Sequence, residues 1–283
     1  MNRNGQLRNI CALVLTVLTA LAVSVAPLWA EEEKPTGDFT VAAMSQYVWR
    51  GYELSRNSVV IQPSMTIGYK GFTANLWGNL DTKPYSPVGA SYTSAFNETD
   101  MTLSYSKTLG LFTVGGGYIY YGLASLNKDA PDRYDSQELF ATVSLNTLLT
   151  PTLTVFKEID HYRNLYFLFG ISHSVELNKI LSLKLAATAG YLLSTDADTY
   201  PKFDSSALPT SEKFSNFHDG TLSISLPIKA ANYITVTPSL SYIFPLTGDA
   251  KDEMKGFGLK GSAMPTDRDS SFIVGGVSAS FTF

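Results

Sequence analysis

Three histidines, a scatter of carboxylates and one arginine set in an aromatic run are the residues of this 283-residue chain with chemical potential. A hydrolase built on a serine nucleophile needs a histidine within hydrogen-bond reach and a third group to orient it. His173 and Ser174 are adjacent, and on a strand adjacent side chains point to opposite faces, so they cannot act as base and nucleophile. His161 and His218 fall in or beside loop-like stretches without a Ser or Asp arrangement of that kind. Asp249, Asp252, Asp267 and Asp269 lack the Asp-x-Asp-x-Asp-Gly spacing of a calcium loop. No phosphate loop, dinucleotide fingerprint or Cys/His metal pattern occurs. The expectation is therefore no enzyme, with no catalytic residues, no cofactor and no metal.

The remaining polar residues recur at every second position, which is the signature of strands with one wet face. Twelve such stretches are read at 39–50, 59–70, 72–81, 100–107, 111–121, 137–145, 153–159, 166–175, 181–193, 221–228, 234–244 and 272–283. In the last, Ile273, Gly275, Val277, Ala279, Phe281 and Phe283 share one face, and the segment holds no charge. Runs of about ten residues with this period, separated by turns, match the spanning strands of an outer-membrane barrel. Every second connection is short, such as Lys70-Gly71 and Leu109-Gly110. The others, at 51–58, 82–98, 122–135, 160–164, 195–218 and 246–270, are mostly long and carry Gly, Pro, Asp, Asn and Ser. That asymmetry separates periplasmic turns from external loops. The fold class is all-β: a transmembrane, antiparallel, up-and-down β-barrel of about twelve strands, with short periplasmic turns and long extracellular loops.

Two aromatic girdles are expected, because amphipathic rings favour the membrane interface. Phe39, Tyr69, Phe72, Tyr105, Phe112, Phe281 and Phe283 mark the short-turn rim; Tyr47, Trp49, Tyr118, Tyr191, Tyr242 and Phe244 mark the other. Pro63 and Pro238 sit inside strands with neighbours on both sides. Proline removes a ladder donor there, so a local bulge is expected at each.

At the amino end, Arg3 and Arg8 precede an uncharged apolar run, and Leu28-Trp29-Ala30 precedes Glu31-Glu32-Glu33-Lys34. Residues 1–30 read as a cleaved secretory signal peptide, 31–37 as a short polar linker and 38–283 as one barrel domain. The single cysteine, Cys11, lies in the signal segment, so no disulfide is expected in the mature chain. The formal net charge is −4. Loss of Arg3 and Arg8 leaves 19 cations against 25 anions, a net −6. No basic face is left to attract nucleic acid.

The residues expected to line a lumen are Gln46, Arg50, Gln62, Asn75, Trp77, Asn79, Asp81, Asp100, Glu138 and Glu158. Arg50 would point inward from the first strand at the height of Asp81, Asp100, Glu138 and Glu158. A ring of mixed charge of that kind can set ion selectivity; the same charges can equally be solvated at a water-filled mouth or pair to brace the wall. Trp77, Tyr166, Leu168 and Leu192 would interrupt the polar surface.

The run Tyr47-Val48-Trp49-Arg50-Gly51, followed by Gly71-Phe72 and Leu76-Trp77-Gly78-Asn79, resembles the TorF-type porin family of small bacterial outer-membrane β-barrels. The likeness extends more loosely through Gly115-Gly116-Gly117-Tyr118, Pro238-Ser239-Leu240-Ser241-Tyr242 and the last strand. It implies an outer-membrane pore. The terminal Phe283 also looks like the signal read by the barrel-assembly machinery. After Gly51 this chain carries Glu53-Leu54-Ser55-Arg56, where the family pattern is more neutral.

The reading is a Gram-negative outer-membrane channel for passive diffusion of small hydrophilic solutes or ions. Its partners are outer-membrane lipid, the assembly machinery and small solutes. The alternative is a non-conducting structural or adhesion barrel whose loops at 195–218 and 246–270 bind a partner. Its lumen would be plugged by side chains such as Trp77, Tyr121 and Tyr166.

Overall fold

Strands with one apolar and one polar face leave unpaired backbone groups at two edges unless the sheet closes on itself. The computed structural model describes residues 34–55, 58–84, 96–124, 134–257 and 268–283, and it shows that closure. The wall is built from twelve strands: β1 (Thr36–Met44), β2 (Val60–Tyr69), β3 (Phe72–Asp81), β4 (Phe96–Leu109), β5 (Phe112–Leu123), β6 (Ser136–Leu145), β7 (Thr152–Glu158), β8 (Asn164–Glu176), β9 (Ser182–Ser194), β10 (Ser215–Ser225), β11 (Ile234–Pro245) and β12 (Phe272–Thr282). Each pairs antiparallel with its sequence neighbour, and β12 returns to pair with β1 through Phe39↔Phe281 and Val41↔Ala279. The expected all-β up-and-down barrel of twelve strands is the observed fold. The signal segment at 1–30 lies outside the described residues. The first strand starts at Thr36, two residues inside the stretch read as linker.

Short connections gather at one end of the barrel with both chain ends of the wall. Lys70 (φ 50°) and Gly71 (φ 83°) form the two-residue turn between β2 and β3, the left-handed pair that matches strand twist. The outward face is apolar throughout its middle: Met65, Leu76, Leu103, Leu139, Phe169 and Leu222 are all exposed. Continuous apolar surface of this extent is foreign to a water-facing monomer and is the exterior of a membrane-spanning barrel. At the short-turn rim Phe39, Tyr69, Phe72, Tyr105, Phe112, Phe281 and Phe283 are all exposed, Phe72 to 63%.

Several expectations need correction. The first strand does not run to Arg50: it ends at Met44, and Tyr47 and Trp49 therefore leave the other rim and turn inward. Neither proline makes a bulge. Pairing between β2 and β3 lapses at Gln62 and Pro63 and resumes in the same register at Ser64↔Trp77, while β1 runs past Pro63 unbroken. Pro238 stays in register opposite Val277. Its carbonyl accepts from Leu226 N–H, so its missing donor faces the place where β10 ends before Pro227. The tenth strand starts six residues earlier than read, at Ser215. The loop at 246–270 contains a helix, α1 (Gly248–Phe257), and the loop at 195–218 contains a small ladder of Pro201–Phe203 with Pro209–Lys213.

Candidate functional site at the long-loop end of the lumen

Beyond Met44 the chain bends into the barrel instead of continuing its wall. Ser45 makes the last wall contacts, donating N–H to Gly275 O and accepting Gly275 N–H on Oγ. Residues 47–55 then form a miniature hairpin in which Val48 pairs with Glu53 and Trp49 with Tyr52. Its turn is Arg50 (φ 47°) and Gly51 (φ 82°), both left-handed, as a two-residue turn of this twist demands. Glycine is needed at 51 for a second reason: a Cβ there would come within 2.3 Å of Met254 Cε and 3.1 Å of Asp219 Cβ. The hairpin tip is thus wedged between the wall and α1.

The tip carries Arg50 to Glu138 on β6. Nη1 donates to Oε1 at 2.8 Å and Nη2 to Oε2 at 2.7 Å, the bidentate fork that carboxylates favour. Tyr121 adds a hydroxyl donor to the same carboxylate at 2.9 Å. The guanidinium carbon lies 4.4 Å from the Trp49 and Tyr166 ring centres and 4.5 Å from that of Phe156, within cation–π range. The Glu138 side chain is 2% exposed and that of Arg50 12%. Burial alone would lower the Arg50 pKa, but the Glu138 carboxylate outweighs it and holds the guanidinium above its ordinary value. This is a desolvated latch between hairpin and wall.

A second polar cluster lies behind the hairpin. Ala189 and Tyr191 on β9 pair with Gly220 and Phe217 on β10, so His218 and Asp219 together oppose Gly190. A bulge of this kind lets two consecutive residues turn to one side, and both are buried in the lumen. Gly190 leaves room for them: a Cβ would meet Tyr166 Oη at 2.4 Å and Asp219 Oδ1 at 2.7 Å. His218 Nδ1 contacts Asp219 Oδ1 at 3.0 Å, and its Nε2 contacts Glu253 Oε2 on α1. Tyr52 donates to Glu253 Oε1 at 2.8 Å and Tyr166 to Asp219 Oδ1 at 2.8 Å. Tyr200 joins through the Tyr52 hydroxyl. Burial, then the nearby Glu253 charge, push the Tyr52 and Tyr200 phenols well above their ordinary pKa. Both His218 ring nitrogens are taken by carboxylates, and among the described residues no three ligating side chains converge as a metal site requires.

The helix is seated by its sequence. Thr247 Oγ1 accepts Ala250 N–H at 3.1 Å, an N-cap contact. Ala250, Glu253 and Met254 form its buried face, and Phe257 one turn on stacks on Tyr200 with centroids 4.7 Å apart. With Tyr52, Tyr166, Leu192 and Phe214, the residues Tyr200, Ala250 and Phe257 make a packed core at the long-loop end. Sequence reasoning missed His218, Glu253 and the helix. The spacing of 250, 253, 254 and 257 was the available signal, masked by the loop-like Asp249 and Asp252.

The ten expected lumen residues separate into groups. Gln62, Asn75, Trp77, Asn79, Asp81, Asp100, Glu138 and Glu158 sit on inward positions of β2, β3, β4, β6 and β7. Gln62 Nε2 donates to Asn79 Oδ1 at 3.1 Å, and Asn79 Nδ2 to Asn97 Oδ1 at 2.7 Å. Asn75 Nδ2 donates to Ser64 Oγ and Thr66 Oγ1 at 2.9 and 2.8 Å. Trp77 packs on Tyr47, whose hydroxyl reaches Glu98 Oε1 at 3.2 Å. Asp81 is bonded by Ser58 Oγ and Lys83 N–H. Gln46 lies past the end of β1. Of the two readings of these charges, a mixed ring or pairs that brace the wall, Arg50 follows the second by pairing with Glu138, and Asp81, Asp100 and Glu158 take no share of that pair. Of the other histidines, His173 contacts Leu148 O at 2.9 Å and His161 contacts Asp160.

The fold and site together define a closed up-and-down β-barrel with a lipid-type exterior, a polar lumen at its short-turn end and a packed insert at the other. No protein-family model matches the chain, and no curated protein matches it. Among solved structures it is similar to the NanC porin, with 11% identity and a TM-score of 0.49 over 87% of this chain and 98% of that one. The KdgM porin gives 10% identity and 0.49 over 88% and 99%. OmpT of Vibrio cholerae gives 8% identity and 0.38 over 88% and 97%. At these values the reading of function rests on the chain's own geometry.

Proposed function

We propose that this chain is an outer-membrane channel for small hydrophilic solutes or ions, whose bore is held narrow by the hairpin at residues 47–55. The carrying observation is the inward face toward the short-turn end. There Ser64, Thr66, Asn75, Thr102 and Ser104 present hydroxyls and an amide, and a cavity of about 620 Å³ opens beside Thr36, Asp38, Thr66, Thr73 and Thr282. Side chains that bond one another laterally with little charge suit weak, unselective passage. The TorF-like runs at 47–51 and 76–79 support the same reading. On this proposal residues 1–30 are an export signal removed in the mature protein, residues 31–35 remain as a short polar lead into β1, and the terminal Phe283 is presented to the assembly machinery. No catalytic role is assigned.

A second reading, a non-conducting adhesion or structural barrel, is favoured by the packed core of Tyr52, Tyr166, Leu192 and Phe214. Planar-bilayer recording on the purified, folded chain separates the two. Stepwise conductance, larger in Arg50→Ala than in the unsubstituted protein, is expected. Insertion without conductance in both proteins would sink the channel reading and leave the adhesion barrel.

A further inference from the structure

Between the hairpin, α1 and the wall lies a cavity of about 180 Å³, comparable with the roughly 150 Å³ that holds a benzene-sized guest. Its sides are the rings of Trp49, Tyr52, Tyr121, Tyr162, Tyr200 and Phe257, and three carboxylates, Glu98, Glu138 and Glu158, face the same space. Glu138 and Glu158 are directly opposed across β6 and β7, a like-charge pairing that destabilises a sheet unless a cation answers it. Arg50 answers Glu138. Among the described residues no side-chain cation pairs with Glu158.

The geometry of Glu158 is one-sided. Its Oε1 accepts Ser136 Oγ–H at 3.0 Å, Asp160 N–H at 2.9 Å and His161 N–H at 2.7 Å. Its Oε2 is buried and has no hydrogen-bond partner, although the residue is only 2% exposed. Asn164 lines the same cavity and repeats the pattern: Nδ2 donates to Tyr162 O at 2.7 Å, while Oδ1 has no partner and the residue is 5% exposed. Two unpartnered buried acceptors on residues that line one cavity call for a donor, and a buried carboxylate calls for a charged one. The surrounding rings favour a cation over a neutral donor.

We infer that this cavity is a binding site for a small primary amine in its ammonium form, carrying an apolar body about the size of one aromatic ring. The ammonium donates to Glu158 Oε2 and Asn164 Oδ1, and the body lies against the Tyr162, Tyr200 and Phe257 rings. The site is independent of conduction, because equilibrium binding reads it whether or not the barrel passes ions.

The test is isothermal titration of the full folded chain in detergent micelles with benzylamine and with benzyl alcohol, its neutral counterpart. Benzylamine is expected to bind at least about tenfold more tightly, the worth of one charge-assisted hydrogen bond. Glu158→Gln keeps an oxygen for Ser136 and the two backbone donors, and should reduce that preference to near unity. Tyr162→Leu removes a ring that both probes pack on and a cation–π partner that only benzylamine uses, so it should weaken benzylamine several-fold more than benzyl alcohol, and it decides the matter if the Gln variant does not fold. Circular dichroism reports folding for both. Equal affinity for the two probes, a preference surviving Glu158→Gln, or no benzylamine binding by the folded unsubstituted chain would each overturn the proposal.

Discussion

The two ends of one lumen are built on different physical principles. Toward the short turns, Asn75 bonds Ser64 and Thr66 along the wall, and among the described residues no inserted segment covers them. At the long-loop end, Tyr166, Phe214, His218 and Glu253 are as buried as the core of a soluble domain. The same wall strands supply both regions. The difference comes from the inserted hairpin and α1, which bring aromatic rings and opposite charges to the outer inward positions. A barrel of twelve strands lies between the sizes that side chains fill and those that leave an aqueous bore, so inserted segments decide its bore.

The largest break in that contrast is expected from Arg50→Ala. It strips the cation from a carboxylate that is 2% exposed and should destabilise the packed end by about 3–5 kcal/mol, read by urea unfolding in micelles. Glu138→Gln in the same background should recover part of the loss, since the two residues act as a unit, and a double-mutant cycle measures the coupling. Gly51→Ala is expected next, at about 1–3 kcal/mol, because it forces a Cβ onto Met254 in a left-handed turn. An unaltered unfolding midpoint would show that the hairpin tip is not wedged as described.

A pH titration sharpens the same comparison. The Tyr52 and Tyr200 phenols are raised in the folded state above their ordinary value near 10. A raised value means the folded form prefers the proton, so their contribution is complete below about pH 10 and is lost as pH climbs through the higher folded values. The contribution of these phenols to the packed end should therefore be lost in strong alkali. Ultraviolet titration should show buried tyrosines ionising after the exposed ones. If all sixteen tyrosines titrate together near 10, the sealed core is refuted. The smallest effect is expected at the other end: Asn75→Ala frees two hydroxyls to water and should change stability by no more than about 0.5 kcal/mol.

The wall was legible because its code is local. Alternation at period two and the turn residues at Lys70-Gly71 and Leu109-Gly110 respond to neighbours a few residues away, and every wall strand was located to within a few residues except at the ends of the first and tenth. The candidate site was only half legible. Glu138, Glu158 and Asp81 were placed on the inward face by the same alternation, whereas Arg50 was assigned to a strand that stops six residues before it. Its inward turn depends on Glu138, 88 positions away. The His218 environment was missed because a bulge shifts the alternation by one residue and so removes the signal that would have revealed it.

By itself the sequence determined a closed antiparallel wall, the outward and inward faces, and the end at which the long connections gather. Those follow from backbone pairing and side-chain direction, which neighbouring residues set. The tertiary structure alone decided that the Tyr47-Val48-Trp49-Arg50-Gly51 run leaves the wall, that a helix joins it, and that one end of the lumen is packed while the other, among the described residues, receives no insert. Those outcomes depend on charges and rings distant in the chain meeting in a space that exists only once the barrel has closed.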